Sequence, residues 1–342
     1  MMDFGQSLRS AKRFFKKQVL NPHDISIEGD ALKKLLADAD LAILDVGARG
    51  KPLAHLKVLA PYTHIFLCEP EDAEAMRLEK KLKSENFWKA ASVVKDALAS
   101  QEGEHVLYVT RQNGLSSLLK PNRHVVENYS YQSRSGASLR PDWDIVSEQK
   151  VHAITLDHAA QKYNMKNLAL IKLDTQGSEL DILKSGAETL KNCGAVYVEL
   201  EFKKFYEGQP LFSDVDIFLR EKEFEIADIF ITRLRRSTLA GSYARKEPVW
   251  SHALYFKISH NSVETVLRTF AIALAFHHFD FALSLLRNPL IRTRYSDAVL
   301  DSVAAQLGCH AQLIWNAQKT RFPKERLLQV ERLEEKDSDR EL

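Results

Sequence analysis

Cysteine is scarce. The 342-residue chain has three, Cys68, Cys193 and Cys309, far apart and with no CxxC pair. That argues against a disulfide-stapled scaffold or a zinc ribbon and fits a reducing compartment, the cytoplasm. Long apolar runs are also missing. Ala271–Phe276 is among the longest, too short for a membrane span or a signal-peptide core. Net charge is only +2, so nothing global draws the chain to nucleic acid, and none is expected as a partner. With 45% apolar and 27% charged residues, the composition is that of a soluble globular protein.

What is present is alternation. Leu41–Val46, His64–Cys68, Val93–Val94, His105–Thr110, a segment from Val151, Leu168–Leu173, Ala195–Leu200, Glu225–Ile231 and Ala253–Ile258 read as strands. Helical stretches fall between them at Leu53–Leu59, Asp72–Leu82, up to Tyr163, after Gln176-Gly177-Ser178 and at Phe212–Arg220. Strands interleaved with helices predict an α/β fold with a doubly wound, Rossmann-like parallel sheet. Pro121–Lys150 reads as a long loop beside the site, and Thr232–Pro248 as a basic loop.

At the N-terminus, Phe4–Leu20 has the spacing of a basic amphipathic helix. It suits packing on the domain edge better than contact with a membrane surface. Beyond Ser259 only helices are expected, at Val263–Leu274, Phe279–Arg287 and Val299–Gln318. The predicted division is therefore a helical segment over 1–40, the α/β domain over 41–259, a small helical appendage over 260–330 and an acidic flexible tail over 331–342.

The stretch LAILDVGARG, Leu41–Gly50, ends a strand in an acid and two glycines, and a second strand ends in Glu69, 24 positions after Asp45. Such an arrangement builds a pocket for an adenosine-bearing cofactor at the carboxyl ends of the strands. Gly47 and Ala48 form the turn, Asp45 holds the loop or accepts from a ligand ammonium, and Glu69 accepts the ribose hydroxyls. Asp96 and Ala97, just past the third strand, are placed for adenine. A dinucleotide site needs GxGxxG, but Arg49 stands at the second glycine. The spacing therefore favours S-adenosylmethionine, which has no phosphates, over NAD.

Taken together, LDVGARG, CEP, DAL (Asp96–Leu98), NGLSSLLKPN (Asn113–Asn122), TLD (Thr155–Asp157), IKLDTQGSELDILKSGA (Ile171–Ala187) and YVELEFKKFYEGQPLF (Tyr197–Phe212) resemble the FkbM family of S-adenosylmethionine-dependent methyltransferases. The resemblance spans roughly Leu41 to Lys257. It implies a seven-stranded methyltransferase sheet and O-methylation of a hydroxyl, on a carbohydrate or related metabolite. The first loop reads GARG where the family more often has GANxG, so the subgroup's acceptor is not given.

Methyl transfer to a hydroxyl needs alignment and a proton acceptor or a metal. Asp174 and Glu199, near the ends of buried strands, are the catalytic candidates, as base or as ligands of a divalent metal. No metal-ligand set is assigned from the spacing. Gln176 and Glu201 are placed toward the acceptor, while Asn113, Ser116 and Ser117 bind it or close over the cofactor. Glu179 suits its helix N-terminus, Ser178 and Asp181 resemble a capping box, and Lys172 is expected to snorkel. His277, His278 and Asp280 read as a turn. The basic residues Arg233, Arg235, Arg236, Arg245 and Lys246 suit a solvated surface or an anionic acceptor. The rival readings are an NAD-linked oxidoreductase and a non-catalytic cofactor-binding interaction module.

Overall fold

The computed structural model describes residues 27–47, 53–84, 87–130, 140–236 and 245–321, with side chains described to residue 311. The expected helix Phe4–Leu20, the acidic tail and the loop containing Ala48, Arg49 and Gly50 lie outside the described residues.

In chain order the elements are α1 (Asp30–Asp38), β1 (Leu41–Val46), a 3-10 stretch (Ala54–Tyr62), β2 (Thr63–Cys68), α2 (Asp72–Ser84), β3 (Ala90–Val94), β4 (Ala97–Leu98), β5 (Gly103–Thr110), α3 (Arg123–Val126), β6 (Tyr129–Ser130), β7 (Ile145–Ile154) and α4 (Leu156–Lys162). There follow β8 (Leu168–Leu173), α5 (Glu179–Lys184), α6 (Ala187–Lys191), β9 (Ala195–Glu201), α7 (Phe212–Glu221), β10 (Phe224–Arg236), β11 (Lys246–Lys257), α8 (Val263–Ala275), α9 (Phe279–Leu285), α10 (Pro289–Arg292) and α11 (Asp297–Arg321).

The main sheet runs β3-β2-β1-β8-β9-β11-β10, seven strands, with the two-residue β6 on its edge. Pairing is parallel from β3 to β9, and β11 runs antiparallel to both its neighbours. The chain builds outward from β1 to β3 and then restarts on the other side at β8. Between β1 and β8 the connections diverge, which opens a crevice at the strands' carboxyl ends. A second sheet, β4-β7-β5, stands beside that crevice.

The central strands are apolar almost throughout because helices cover both faces. One face buries Leu41, Ile43, Ile65, Leu170 and Leu254 against α1 and the C-terminal helices, and the other buries Leu44, Phe66, Ile171 and Val198 against α4, α5 and α7. Every residue of α8 except Glu264 is buried, as expected for a helix that is apolar nearly all round. It lies close to the sheet: a Cβ on Gly194 would stand 2.8 Å from the Thr269 amide nitrogen. Among the described residues no helix is long and apolar enough to cross a membrane.

Two expected loops are corrected. Ile145–Lys150, read as part of the loop Pro121–Lys150, forms the first half of β7, paired with β5. Its residues are mostly exposed, so hydrogen-bond pairing rather than apolar burial makes it a strand. Similarly, Thr232–Arg236 and Lys246–Pro248 extend the β10–β11 hairpin instead of looping. The apolar signal ends before the ladder does. Cross-strand charge pairing carries the hairpin onward, with Arg236 Nε 2.8 Å from Glu247.

Candidate active site

The crevice holds a cleft of about 750 Å³, partly open to solvent. Gly47, Glu69, Ala97, Asn113, Ser116, Ser117, Asp174 and Gln176 line it together, with Leu98 and Leu107 among its apolar walls. Gly47 has φ +77°, and a Cβ there would meet the Asp174 carbonyl oxygen at 2.1 Å. Only glycine serves both conditions. This turn brings the ends of β1 and β8 into contact.

Other predicted residues sit elsewhere. Asp45 is buried behind the cleft and accepts from Lys172 Nζ at 2.8 Å. Lys172 therefore does not snorkel. Its neighbours are carboxylates, the buried Asp45 and the half-buried Asp174, whose Oδ2 is 3.8 Å away, and an ion pair is the low-energy arrangement there. Asp96 does not line the cleft. Its carboxylate accepts from Lys162 and Tyr163, each at 2.6 Å, and faces His152 at 3.1 Å, so it fastens α4 to the sheet. Glu201 is buried beneath the cleft.

Glu69 is buried, and its Oε1 accepts the Glu71 amide at 3.0 Å, which fixes the carboxylate at the end of β2. Ser117 Oγ donates to the Gln176 carbonyl at 2.7 Å, and Ser116 Oγ accepts the Thr110 amide at 3.2 Å. These serines brace the wall of the cleft.

The loop from Asp174 to Glu179 is held by side chains. Glu179 accepts the Thr175 amide at 2.7 Å and the Gly177 amide at 2.9 Å. Glu179 thus ties down the loop ahead of α5, and the expected Ser178–Asp181 capping box is absent, since Ser178 makes no capping bond. Gln176 takes a left-handed φ of +62°. From there its Nε2 donates to Asp174 Oδ1 at 3.0 Å and to Glu199 Oε2. Its Oε1 lies 2.9 Å from the Tyr206 hydroxyl, which is also 2.9 Å from the Leu115 carbonyl. One amide thus holds two carboxylates in place.

His252 completes the cluster. In the sheet it sits opposite Glu199, and its Nε2 lies 3.9 Å from Glu199 Oε1 and 4.0 Å from Asp174 Oδ2. The donor atoms of Asp174, Glu199 and His252 all lie within 4.8 Å of one another. A point equidistant from the three falls about 2.0–2.5 Å from each, bonding range for a divalent cation. These are the residues that could hold one.

The two carboxylates titrate in opposite directions. Burial by itself would raise Asp174, but the Lys172 charge, His252 and the Gln176 amide outweigh it and hold the carboxyl below the ordinary range. Burial, reinforced by the charges of Asp174 and Glu201, pushes Glu199 well above that range. Glu201 is likewise raised, by burial first and then by Glu179 and Asp174. Asp45 stays raised by burial despite its lysine. A single buried lysine serves several buried acids.

Sequence reasoning missed His252 and Tyr206. His252 opens the mostly apolar stretch His252–Phe256 of β11, a weak signal that becomes informative only once β11 is known to neighbour β9. Tyr206 lies within YEGQPLF but has no chemical pattern of its own.

The cleft's walls carry two carboxylates, amides and hydroxyls, and no cationic side chain among the described residues. That suits a sulfonium nucleoside. Glu69 lies at one part of the cleft wall and Ala97, Leu98 and Leu107 supply apolar surface to it. Sheet and cleft together define an S-adenosylmethionine-dependent methyltransferase. The chain belongs to the FkbM methyltransferase family: the family model described as Methyltransferase FkbM domain matches residues 45–226, more than half of it.

The chain is also similar to 2-O-methyltransferase NoeI of Sinorhizobium fredii (strain NBRC 101917 / NGR234). They are 26% identical over 220 residues, 62% of this chain and 84% of that protein. Among solved structures it is similar to methyltransferase FkbM of Methylobacillus flagellatus KT, at 12% identity and TM-score 0.37. That match covers 64% of this chain but spans only 44% of the other. TrmK of M. capricolum with S-adenosyl-homocysteine matches at 7% identity and TM-score 0.31, over 84% of this chain and 100% of that one.

Proposed function

We propose that the chain transfers the methyl group of S-adenosylmethionine to a hydroxyl of a carbohydrate or related metabolite, with residues 41–259 as the catalytic unit. The observation that carries this reading is the Asp174–Gln176–Glu199–His252 cluster at the edge of the cofactor cleft. It offers fixed hydrogen-bond acceptors and a proton acceptor where the methyl group would be presented. The likeness to a 2-O-methyltransferase supports an oxygen acceptor.

In the transfer, the acceptor oxygen attacks the methyl carbon in line with its bond to sulfur. That bond breaks, the sulfonium becomes a neutral thioether, and the hydroxyl proton leaves to a carboxylate. Asp174, kept ionised, orients the hydroxyl by accepting its hydrogen bond. Gln176 fixes the direction of Asp174 and ties it to Glu199. A divalent cation bound at the triad would polarise the acceptor oxygen. Glu69 and Gly47 hold the cofactor, and Asn113 with Ser116 and Ser117 forms the wall nearest the acceptor.

Calorimetric titration with S-adenosylhomocysteine, S-adenosylmethionine and NAD tests the cofactor assignment. The first two bind, and Glu69→Ala loses most of that affinity. Binding of NAD alone would reject the reading. Over a panel of sugars, Asp174→Asn and Glu199→Gln keep S-adenosylhomocysteine affinity and lose methyl transfer. Unchanged turnover in both would remove them from the chemistry.

A further inference from the structure

The loop that follows β9 carries more than Tyr206. It begins with Phe202, whose amide bonds to the Val249 carbonyl, and turns back so that the Glu207 amide bonds to the Lys120 carbonyl. Phe205 and Tyr206 pack with Tyr129, Trp143, Leu234 and Val249 in a small aromatic core. On one side of that core Tyr206 meets Gln176 in the acidic cluster. On the other, the same loop presents Lys203 and Lys204 to a second hollow of about 470 Å³, shared with His124, Asn128, Tyr129 and Arg236.

Charge in this hollow is organised around one acid. Glu247 accepts from Arg236 Nε at 2.8 Å and from the Tyr129 hydroxyl at 3.0 Å, and stands 3.1 Å from Lys203 Nζ. Arg236 also lies over the Tyr129 ring, 5.6 Å from its centre. These contacts hold Glu247 ionised, its carboxyl pulled down to about 2 by Arg236 and then Lys203. One carboxylate therefore orders two cations and neutralises only one. Lys204, exposed, pairs with no carboxylate among the described residues. The hollow keeps an excess of positive charge, with Lys204 exposed beside it, and clustered cations are what attract a phosphate group.

Its position gives the excess a use. Lys203 follows Glu199 by four residues, so their Cα atoms stand no more than about 14 Å apart. A sugar whose hydroxyl reaches the acidic cluster can place an attached phosphate among Lys203, Lys204 and Arg236.

Resting on the proposed methyl transfer to a carbohydrate, we infer that the acceptor is a phosphorylated or pyrophosphate-linked sugar whose anionic group binds the His124–Tyr129–Lys203–Lys204–Arg236 hollow. A neutral glycan would gain nothing from three clustered cations, and the cofactor, itself cationic, is repelled from them.

The test uses the full chain saturated with S-adenosylhomocysteine and titrated with inorganic pyrophosphate, glucose 1-phosphate and glucose. Pyrophosphate and glucose 1-phosphate bind saturably, more weakly at high salt, and glucose does not. Lys204→Glu, an exposed change that leaves the fold intact, weakens both by about tenfold or more, the loss expected for one charged contact. Arg236→Lys retains most of the affinity and Arg236→Gln does not. Absence of binding would overturn the inference, as would binding indifferent to Lys204→Glu or displaced by S-adenosylhomocysteine. Capture by phosphatidic acid vesicles without binding of glucose 1-phosphate would make the hollow a lipid site and equally overturn it. Pyrophosphate and S-adenosylhomocysteine binding report separately, so failure of the hollow leaves the methyl-transfer reading intact, and loss of cofactor binding alone leaves the hollow intact.

Discussion

Replacing Lys172 with methionine tests how the buried acids are held. Lys172 and Asp45 have side chains only 10% and 4% exposed, and their charged atoms are 2.8 Å apart. Burial raises Asp45, whereas Lys172 is raised against the effect of burial by Asp45 and Asp174. The asymmetry reflects number, since one cation answers to several anions. Removing the lysine strands Asp45 and weakens the field on Asp174, and breaking a buried pair in this way costs about 3–5 kcal/mol. Asp45→Asn is milder. Lys172 keeps Asp174 at 3.8 Å, so the loss is that of a charged hydrogen bond, about 1–3 kcal/mol. Urea unfolding followed by tryptophan fluorescence compares the two. The sign of the pH effect follows from Asp45. A carboxyl raised in the folded state is destabilising at neutral pH and is relieved as it protonates. The deficit of Lys172→Met relative to wild type therefore shrinks as pH falls toward the ordinary carboxyl value of 3.8. An Asp45→Asn loss equal to or greater than that of Lys172→Met, or a deficit that does not change with pH, would refute the reasoning.

Gly47→Ala must place a Cβ at φ +77° and 2.1 Å from the Asp174 carbonyl oxygen. The conformation alone costs about 1–2 kcal/mol, and S-adenosylhomocysteine affinity should fall by at least about tenfold, read by calorimetry. Phe270→Ala in α8 empties a fully buried site between helix and sheet and should cost about 3–5 kcal/mol in denaturation. His260 and His277 are held neutral by burial, their values pushed from 6.5 down to about 4. The unfolded chain binds those protons first, so stability declines as pH falls from about 6.5 toward 4. His277→Asn, which tolerates the local φ of +66°, should flatten part of that decline in thermal melts.

The sequence by itself determined the strand-end chemistry. An acid, a glycine turn and a second acid in Asp45, Gly47 and Glu69 are local features, and the missing second glycine of a dinucleotide turn is local as well. The alternation of apolar strands and amphipathic helices is equally local, so the α/β sheet and the helical C-terminal region were legible. Asp174 and Glu199 stood out because charged groups near the ends of buried strands are costly. What only the tertiary structure decided was which groups meet. His252 reaches Glu199 because β11 inserts antiparallel beside β9, Lys172 faces Asp45 because β8 pairs with β1, and Asp96 is drawn into α4's polar contacts instead of the cleft. The charged arms of the β10–β11 hairpin are strands only because they pair. Each of these contacts joins residues distant in the chain across a sheet order that residue spacing does not encode, and side-chain burial and titration follow from that order.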